Sequence, residues 1–100
     1  MVVLQKTRQV EQDLIDIWLY TADRWGEEQA DKYLRKIELC FQKINRGSAL
    51  LKPLANDVQF IRCEHHYIFV LMTKKPIVIA ILHEKMDMLI RLKQRLSENN

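Results

Sequence analysis

Two helical apolar stripes follow one another between residues 8 and 45, separated by the single Gly26, and this limits the fold more than any other feature of the chain. In the first stripe Val10, Leu14, Ile17, Trp18 and Thr21 recur at steps of four, three, one and three, which puts them on one face of a helix over 8–24. Asp13, Asp16 and Asp23 fall off that face. Thr7 suits the start of this helix, and Gly26, after Arg24 and Trp25, suits the left-handed residue that ends it. The second stripe, from residue 27 to about 45, contains Ala30, Tyr33, Leu34, Ile37, Cys40, Phe41 and Ile44, with Glu27, Glu28 and Asp31 at the end where a helix dipole favours acids. Two long helices this close in sequence fold back as an antiparallel hairpin. Trp18 is expected in the core, and Trp25 at the hairpin tip is suited equally to packing and to partner contact.

Helical periodicity ends at Gly47, and residues 48–57 read as a surface loop. Three runs rich in Val, Ile, Phe and Tyr follow at 58–62, 67–72 and 77–82, the composition of strands, with a turn at 73–76. The run from Ile77 to Leu82 is apolar on both faces, as suits a central strand covered by helices on one side and by something else on the other. Residues 1–5 read as a short further strand, and residues 86–96 as an amphipathic tail helix with Leu89, Leu92 and Leu96 on one side. The expected fold class is α+β: an N-terminal strand, a helical hairpin packed on a small, mostly antiparallel sheet, and a C-terminal amphipathic helix.

A chain of 100 residues has room for one domain over 1–100 with one core. With 48% hydrophobic residues and only 2 Gly and 2 Pro, whole-chain disorder is excluded. The net charge of +3 is too mild for a dedicated nucleic-acid binder, although residues 51–100 carry 8 basic and 5 acidic side chains while residues 1–50 carry 8 of each. Cys40 and Cys63 lack the CxxC spacing of a zinc knuckle and give no disulfide framework, so a reducing cytoplasm is expected. The start lacks the pattern of an export signal, and no stretch approaches the roughly 18 apolar residues of a membrane span. Cys63, His65 and His66 invite a metal reading, but adjacent strand side chains point to opposite faces, so no metal site is expected. No cofactor is expected either.

Four segments carry a resemblance. Asp13-Leu14 with Ile17-Trp18 and Tyr20, Trp25-Gly26 with Gln29-Ala30 and Tyr33, His66 with Ile68-Phe69, and Ile81-Leu82-His83 with Met86-Asp87 stand in the order and spacing of the ParE toxins. These belong to the RelE/ParE superfamily, the toxic halves of bacterial type II toxin–antitoxin pairs. The chain departs from the family pattern at Val70, where Tyr is usual, at Ala80, where many members have Arg, and at Glu64, where Gly usually precedes the strand motif.

The resemblance implies a cytoplasmic toxin that inhibits DNA gyrase by binding rather than by catalysis, so blocking replication and growth. It implies neutralisation by a ParD-like antitoxin with a ribbon-helix-helix N-terminus, in a hetero-oligomer, with no membrane and no direct specific nucleic-acid partner. Candidate residues for target binding or toxicity are Arg62, His83, Lys85, Met86, Asp87, Arg91, Lys93 and Arg95; for antitoxin binding they are Trp25, Tyr33, Phe60, Arg62, His66 and Phe69. One alternative is a RelE-type ribosome-dependent mRNA endoribonuclease, for which Arg62, His83 and Lys85 are the available basic residues and the late Tyr of those enzymes is missing. The other is an inactive member kept as antitoxin partner or co-repressor. The tail is expected to dock on the target through its cations, so that a chain cut after Asp87 stays folded but loses toxicity. Leftover apolar surface on the sheet needs a cover, either this tail or a partner segment that folds on binding.

Overall fold

The computed structural model describes residues 4–55 and 57–98. The elements in chain order are β1 (Gln5–Lys6), α1 (Arg8–Trp25), α2 (Glu27–Arg46), β2 (Lys52–Ala55), β3 (Val58–Cys63), β4 (His66–Leu71), β5 (Ile77–His83) and α3 (Met88–Glu98). One five-stranded sheet has the order β1-β5-β4-β3-β2, with β1 parallel to β5 and every other pair antiparallel. The α+β architecture is the expected one.

The helical hairpin forms for the reasons its sequence states. Thr7 Oγ1 accepts from the Val10 N–H at 3.2 Å and caps α1. Gly26 has φ +94°, a conformation that a side chain disfavours, and its N–H donates to the Ala22 carbonyl at 2.9 Å. Gly47 ends α2 at φ +75°. Trp18 is half-buried rather than core: its indole N–H crosses the hairpin to Asp31 Oδ1 at 2.8 Å.

Beyond small shifts at element ends, the structure departs from expectation at β2, at the N-terminal strand and at the start of the tail helix. Residues 52–55 of the expected loop form β2, which pairs Lys52 with Phe60 and Pro53 with Gln59. Pro53 hides it, since a proline is tolerated in a sheet chiefly at an edge, where β2 lies. Of the strand expected at 1–5, residues 1–3 lie outside the described residues, and pairing runs over Gln5–Lys6. The tail helix begins at Met88, not 86, because Asp87 caps it: its Oδ1 accepts from the Ile90 N–H at 3.3 Å.

The sheet is buried on both faces. The hairpin face packs Ile68, Val70, Val78 and Ile81 against Val10, Ile17, Ile37, Phe41 and Ile44. The opposite face packs Val58, Phe69, Ile79, Ala80 and Leu82 beneath Leu92 of α3, with Leu96 at its margin. The cover expected for β5 is therefore the tail itself, with Leu92 only 5% exposed. The Leu89 side chain, also expected in the stripe, lies outside the described residues.

β5 is bulged. Phe69 pairs with Ala80 and Val70 with Val78, so Ile79 is the extra residue, and Ile79 and Ala80 both pack on the α3 side. The bulge also inverts the alternation beyond it, which puts His83 on the hairpin face opposite His66.

Asp13 joins three elements. Its carboxylate takes a bidentate pair from Arg95 at 2.9 and 3.0 Å and also accepts from the Ile81 N–H at 3.2 Å, while Arg95 donates to the Ile79 carbonyl at 3.0 Å. Both side chains are only 15% exposed. Arg95, expected as a docking cation on an outer face, is thus a clamp between α3, α1 and β5, and Asp13 lies off the apolar stripe because it faces this clamp.

Asp13→Ala should lower the unfolding free energy by roughly 2 to 3 kcal/mol, because it leaves a mostly buried guanidinium unpaired; urea denaturation measures this, and a loss below about 0.5 kcal/mol would show the clamp to be idle. A chain cut after Asp87 loses Leu92 and Arg95 together and should fail to give a cooperative melt, the reverse of the outcome read from the tail's charge pattern.

Candidate functional site

The turn between β3 and β4 is Glu64-His65, flanked by the Cys63–His66 pair. A two-residue hairpin turn needs positive φ, and Glu64 supplies it at +56° without being glycine. The turn is held from two sides. The Tyr33 hydroxyl on α2 accepts from the His65 N–H at 3.1 Å, and the Glu84 N–H after β5 donates to the His65 carbonyl at 2.9 Å.

The same Tyr33 hydroxyl lies 2.6 Å from His66 Nδ1, within hydrogen-bond distance. The surroundings of His66 favour its neutral imidazole. Burial first, then the neighbouring His83 and His65, push its pKa down to about 4. Burial raises the Tyr33 pKa, against the His65 N–H, with Glu64 and Glu84 adding to the rise. The rings of His66 and His83 meet edge to face at 5.0 Å, and His83 Nδ1 accepts from the Lys85 N–H at 3.1 Å. His83 thus fastens the turn into the tail.

On the other side of the turn Arg62 reaches Glu84 Oε2 and the Glu64 carbonyl, and His65 Nδ1 lies 3.3 Å from Glu84 Oε1. Partial burial opposes ionisation of Glu84, yet the hydrogen bond from His65 and the charge of Arg62 outweigh it and hold the carboxyl below its usual range.

Two grooves flank the His66–His83 pair. One, of about 580 Å³, runs between α1 and the start of α3, with Asp16, Tyr20, His83, Lys85, Met86 and Arg91 among its walls. The other, of about 690 Å³, lies between the hairpin tip and the turn, with Arg24, Trp25, Tyr33, Lys36, His65 and Glu84 among its walls. Tyr20, His66, His83 and Lys85 border both. Trp25 is 64% and Tyr20 52% exposed, their rings edge to face at 6.4 Å, with the Arg24 guanidinium 4.7 Å above Tyr20.

The candidate residues divide accordingly. Trp25, Tyr33, His66, His83, Lys85, Met86 and Arg91 gather on the grooves. Phe60 and Arg62 lie toward the opposite face, where Phe60 packs on Tyr67 and Phe69, so the antitoxin candidates do not form one patch. Phe69 is 2% exposed and belongs to the core, which removes it as a contact residue in this conformation. Asp87 is the cap of α3 and Arg95 the clamp, whereas Lys93 is exposed on α3. Sequence reasoning missed Arg24, His65, Glu84 and Asp16 as groove residues. Tyr20 was visible as a motif residue off the buried stripe, a signal that it faces outward. Among the described residues no group of His, Cys, Asp or Glu is placed to hold a metal ion, and no helix is long and apolar enough to cross a membrane.

Cys40 and Cys63, expected as unpaired thiols, are joined as a disulfide. The hairpin brings α2 onto β3 across 23 positions of sequence, a proximity that no local spacing reveals.

Two outcomes test this geometry. Tyr33→Phe should cost roughly 1 to 2 kcal/mol by removing the shared partner of His65 and His66. His66 binds its proton more weakly folded than unfolded, so its contribution is complete above about pH 6.5 and is lost as pH falls toward about 4. Melting temperature should fall across that window in wild type and less steeply in His66→Gln, which keeps an acceptor for Tyr33; equal slopes would assign the dependence to other groups.

A family model described as the ParE toxin of the type II toxin–antitoxin system parDE matches residues 4–88. The chain is 37% identical to the Toxin ParE of Escherichia coli, over 90% of this chain and 92% of that protein. It is 31% identical to Toxin ParE1 of Caulobacter vibrioides, over 81% of this chain and 88% of that protein. A chain from a solved structure described as the chromosomal ParDE TA system from P. aeruginosa superposes with a TM-score of 0.70 at 19% identity, covering 83% of this chain and 96% of that one, which bears on the fold. From β1 to the start of α3, this chain belongs to the ParE toxin family of type II toxin–antitoxin systems.

Proposed function

We propose that this protein arrests growth in the cytoplasm by binding DNA gyrase rather than by catalysis, and that a ParD-like antitoxin with a ribbon-helix-helix N-terminus neutralises it in a hetero-oligomer. The observation that carries this reading is the family match across residues 4–88, which takes in every element but most of α3. The chemistry of the grooves supports it. His66 Nδ1 is occupied by Tyr33, His83 Nδ1 by the Lys85 N–H, and Arg62 by Glu84, so these groups organise structure instead of converging on one reacting atom. What the rim offers outward is aromatic and cationic surface, suited to an interface.

In this reading the antitoxin segment lies against Trp25 and Tyr20 at the hairpin tip, and the target meets Lys85, Met86, Arg91 and Lys93 along the start of α3. Purified protein should block gyrase supercoiling with accumulation of cleaved DNA and leave ribosome-bound message intact. Message cleavage without an effect on supercoiling would replace this reading with the endoribonuclease one, and binding of a neighbouring small protein without either activity would leave an inactive partner. Trp25→Ala should weaken antitoxin binding about 10- to 100-fold in titration calorimetry. The double charge reversal Arg91→Glu with Lys93→Glu should abolish growth arrest while the melting temperature stays within a few degrees of wild type.

A further inference from the structure

Three ties run from one face of α2 to the turn that carries the histidines. Tyr33 holds His65 and His66, Lys36 Nζ lies 3.9 Å from Glu64 Oε1, and Cys40 is bonded to Cys63. Positions 33, 36 and 40 are spaced three and four apart, the repeat of one helix face. The first two ties are polar contacts in part-exposed surroundings. The third is covalent, and redox chemistry alone breaks it.

The pair is also arranged to rest in either oxidation state. Cys63 is 4% exposed and sits in the hairpin-face core, while Cys40 is half-buried, so Cys40 is the more accessible residue of the two. Cys63 Sγ lies 3.6 Å from the Lys36 carbonyl, which gives a reduced Cys63 thiol an acceptor for its proton.

We propose that Cys40–Cys63 is a reversible thiol–disulfide exchange site whose co-reactant is a low-molecular-weight disulfide of the glutathione class, and that its oxidation state sets how firmly α2 holds the histidine turn. Starting from the dithiol, the Cys40 thiolate attacks one sulfur of the small disulfide, forming a mixed disulfide and releasing one small thiol. Cys63 then gives up its proton and attacks the Cys40 sulfur, forming the internal bond and releasing the second small thiol. One small disulfide becomes two thiols, which carry the two protons that the cysteines lost, and excess small thiol drives the reverse. Where thiols are abundant such a bond persists only transiently, the behaviour of a sensor rather than of a permanent staple. The oxidised form fixes the turn that floors the larger groove; the reduced form leaves it to Tyr33 and Lys36.

The test uses the full chain equilibrated with reduced or oxidised glutathione. After alkylation, mass spectrometry should find two modified cysteines in the reduced protein and none in the oxidised protein, which remains monomeric. The reduced protein should melt roughly 10 to 20 °C lower, with faster amide exchange at Glu64, His65 and His66. Cys40→Ser, at a half-exposed position that tolerates the change, should melt near the reduced wild type and ignore the glutathione ratio; Cys40→Ala should behave alike. Two alkylated cysteines after oxidised glutathione, a mixed disulfide that never closes, or melting and exchange that do not differ between the two states would each overturn the proposal. None of these readouts involves growth arrest, gyrase or antitoxin, so the inference stands or falls separately from the proposed function.

Discussion

One carboxylate closes the side of the sheet that β1 leaves open. β1 is two residues long, so the backbone of β5 beyond Val78 has no neighbouring strand on that edge. Buried backbone groups need partners, and here two side chains supply them: Asp13 accepts from the Ile81 N–H, and Arg95 donates to the Ile79 carbonyl. The two side chains then pair with each other in a fork of two hydrogen bonds. A buried ion pair is often a poor source of stability, because desolvation offsets the attraction. This pair does something that an apolar pair of the same volume cannot, since it continues the hydrogen-bonding edge of β5 and at the same time sets where α3 lies across the far face. The tail is therefore part of the fold, held by Leu92 from below and by Arg95 from the side.

The bulge at Ile79 is the second constraint, and the candidate site follows from it. A regular β5 would turn His83 toward α3, away from His66. The extra residue inverts the strand's phase, brings the two imidazoles edge to face on the hairpin side, and leaves Ile79 and Ala80 together beneath α3. The same irregularity thus serves the packing of the tail and creates the ridge between the two grooves. Tyr33 completes that ridge from α2 with its hydroxyl 2.6 Å from His66 Nδ1, and burial disfavours the charged imidazole there.

What the chain reveals before folding depends on the range of the interaction. Both helices, their caps and the three central strands are legible because periodicity, Thr7, Gly26 and Gly47 are local signals. Asp13 reads as a surface acid because its partner Arg95 is 82 residues away. Cys40 and Cys63 read as unrelated for the same reason, and β2 reads as loop because Pro53 is a strand residue only when the strand has an edge to occupy. The motif from Ile81 to Asp87 is visible as a resemblance, but its physical content appears only in three dimensions: a strand end, a turn fastened by His83 Nδ1, and the cap of α3. The site residues divide likewise. Trp25 and Tyr33 are legible from the hairpin, whereas Glu84 and His65 become groove residues only once the β3–β4 turn meets the end of β5.

α1 also presents apolar side chains away from the core. Its inward stripe is consumed by the core, yet Ile15 and Leu19, one turn apart, are 52% and 56% exposed, and the rings of Tyr20 and Trp25, edge to face with each other, are exposed as well. Single exposed hydrophobics are ordinary, but several on one helix mark surface that gains from being covered. The polar residues that hold the site together cannot be drawn into a new contact without releasing Tyr33, His66 or the Asp13–Arg95 clamp. A partner that leaves the domain folded therefore gains most from the aromatic and aliphatic rim, with Arg24, Lys85 and Arg91 setting its charge.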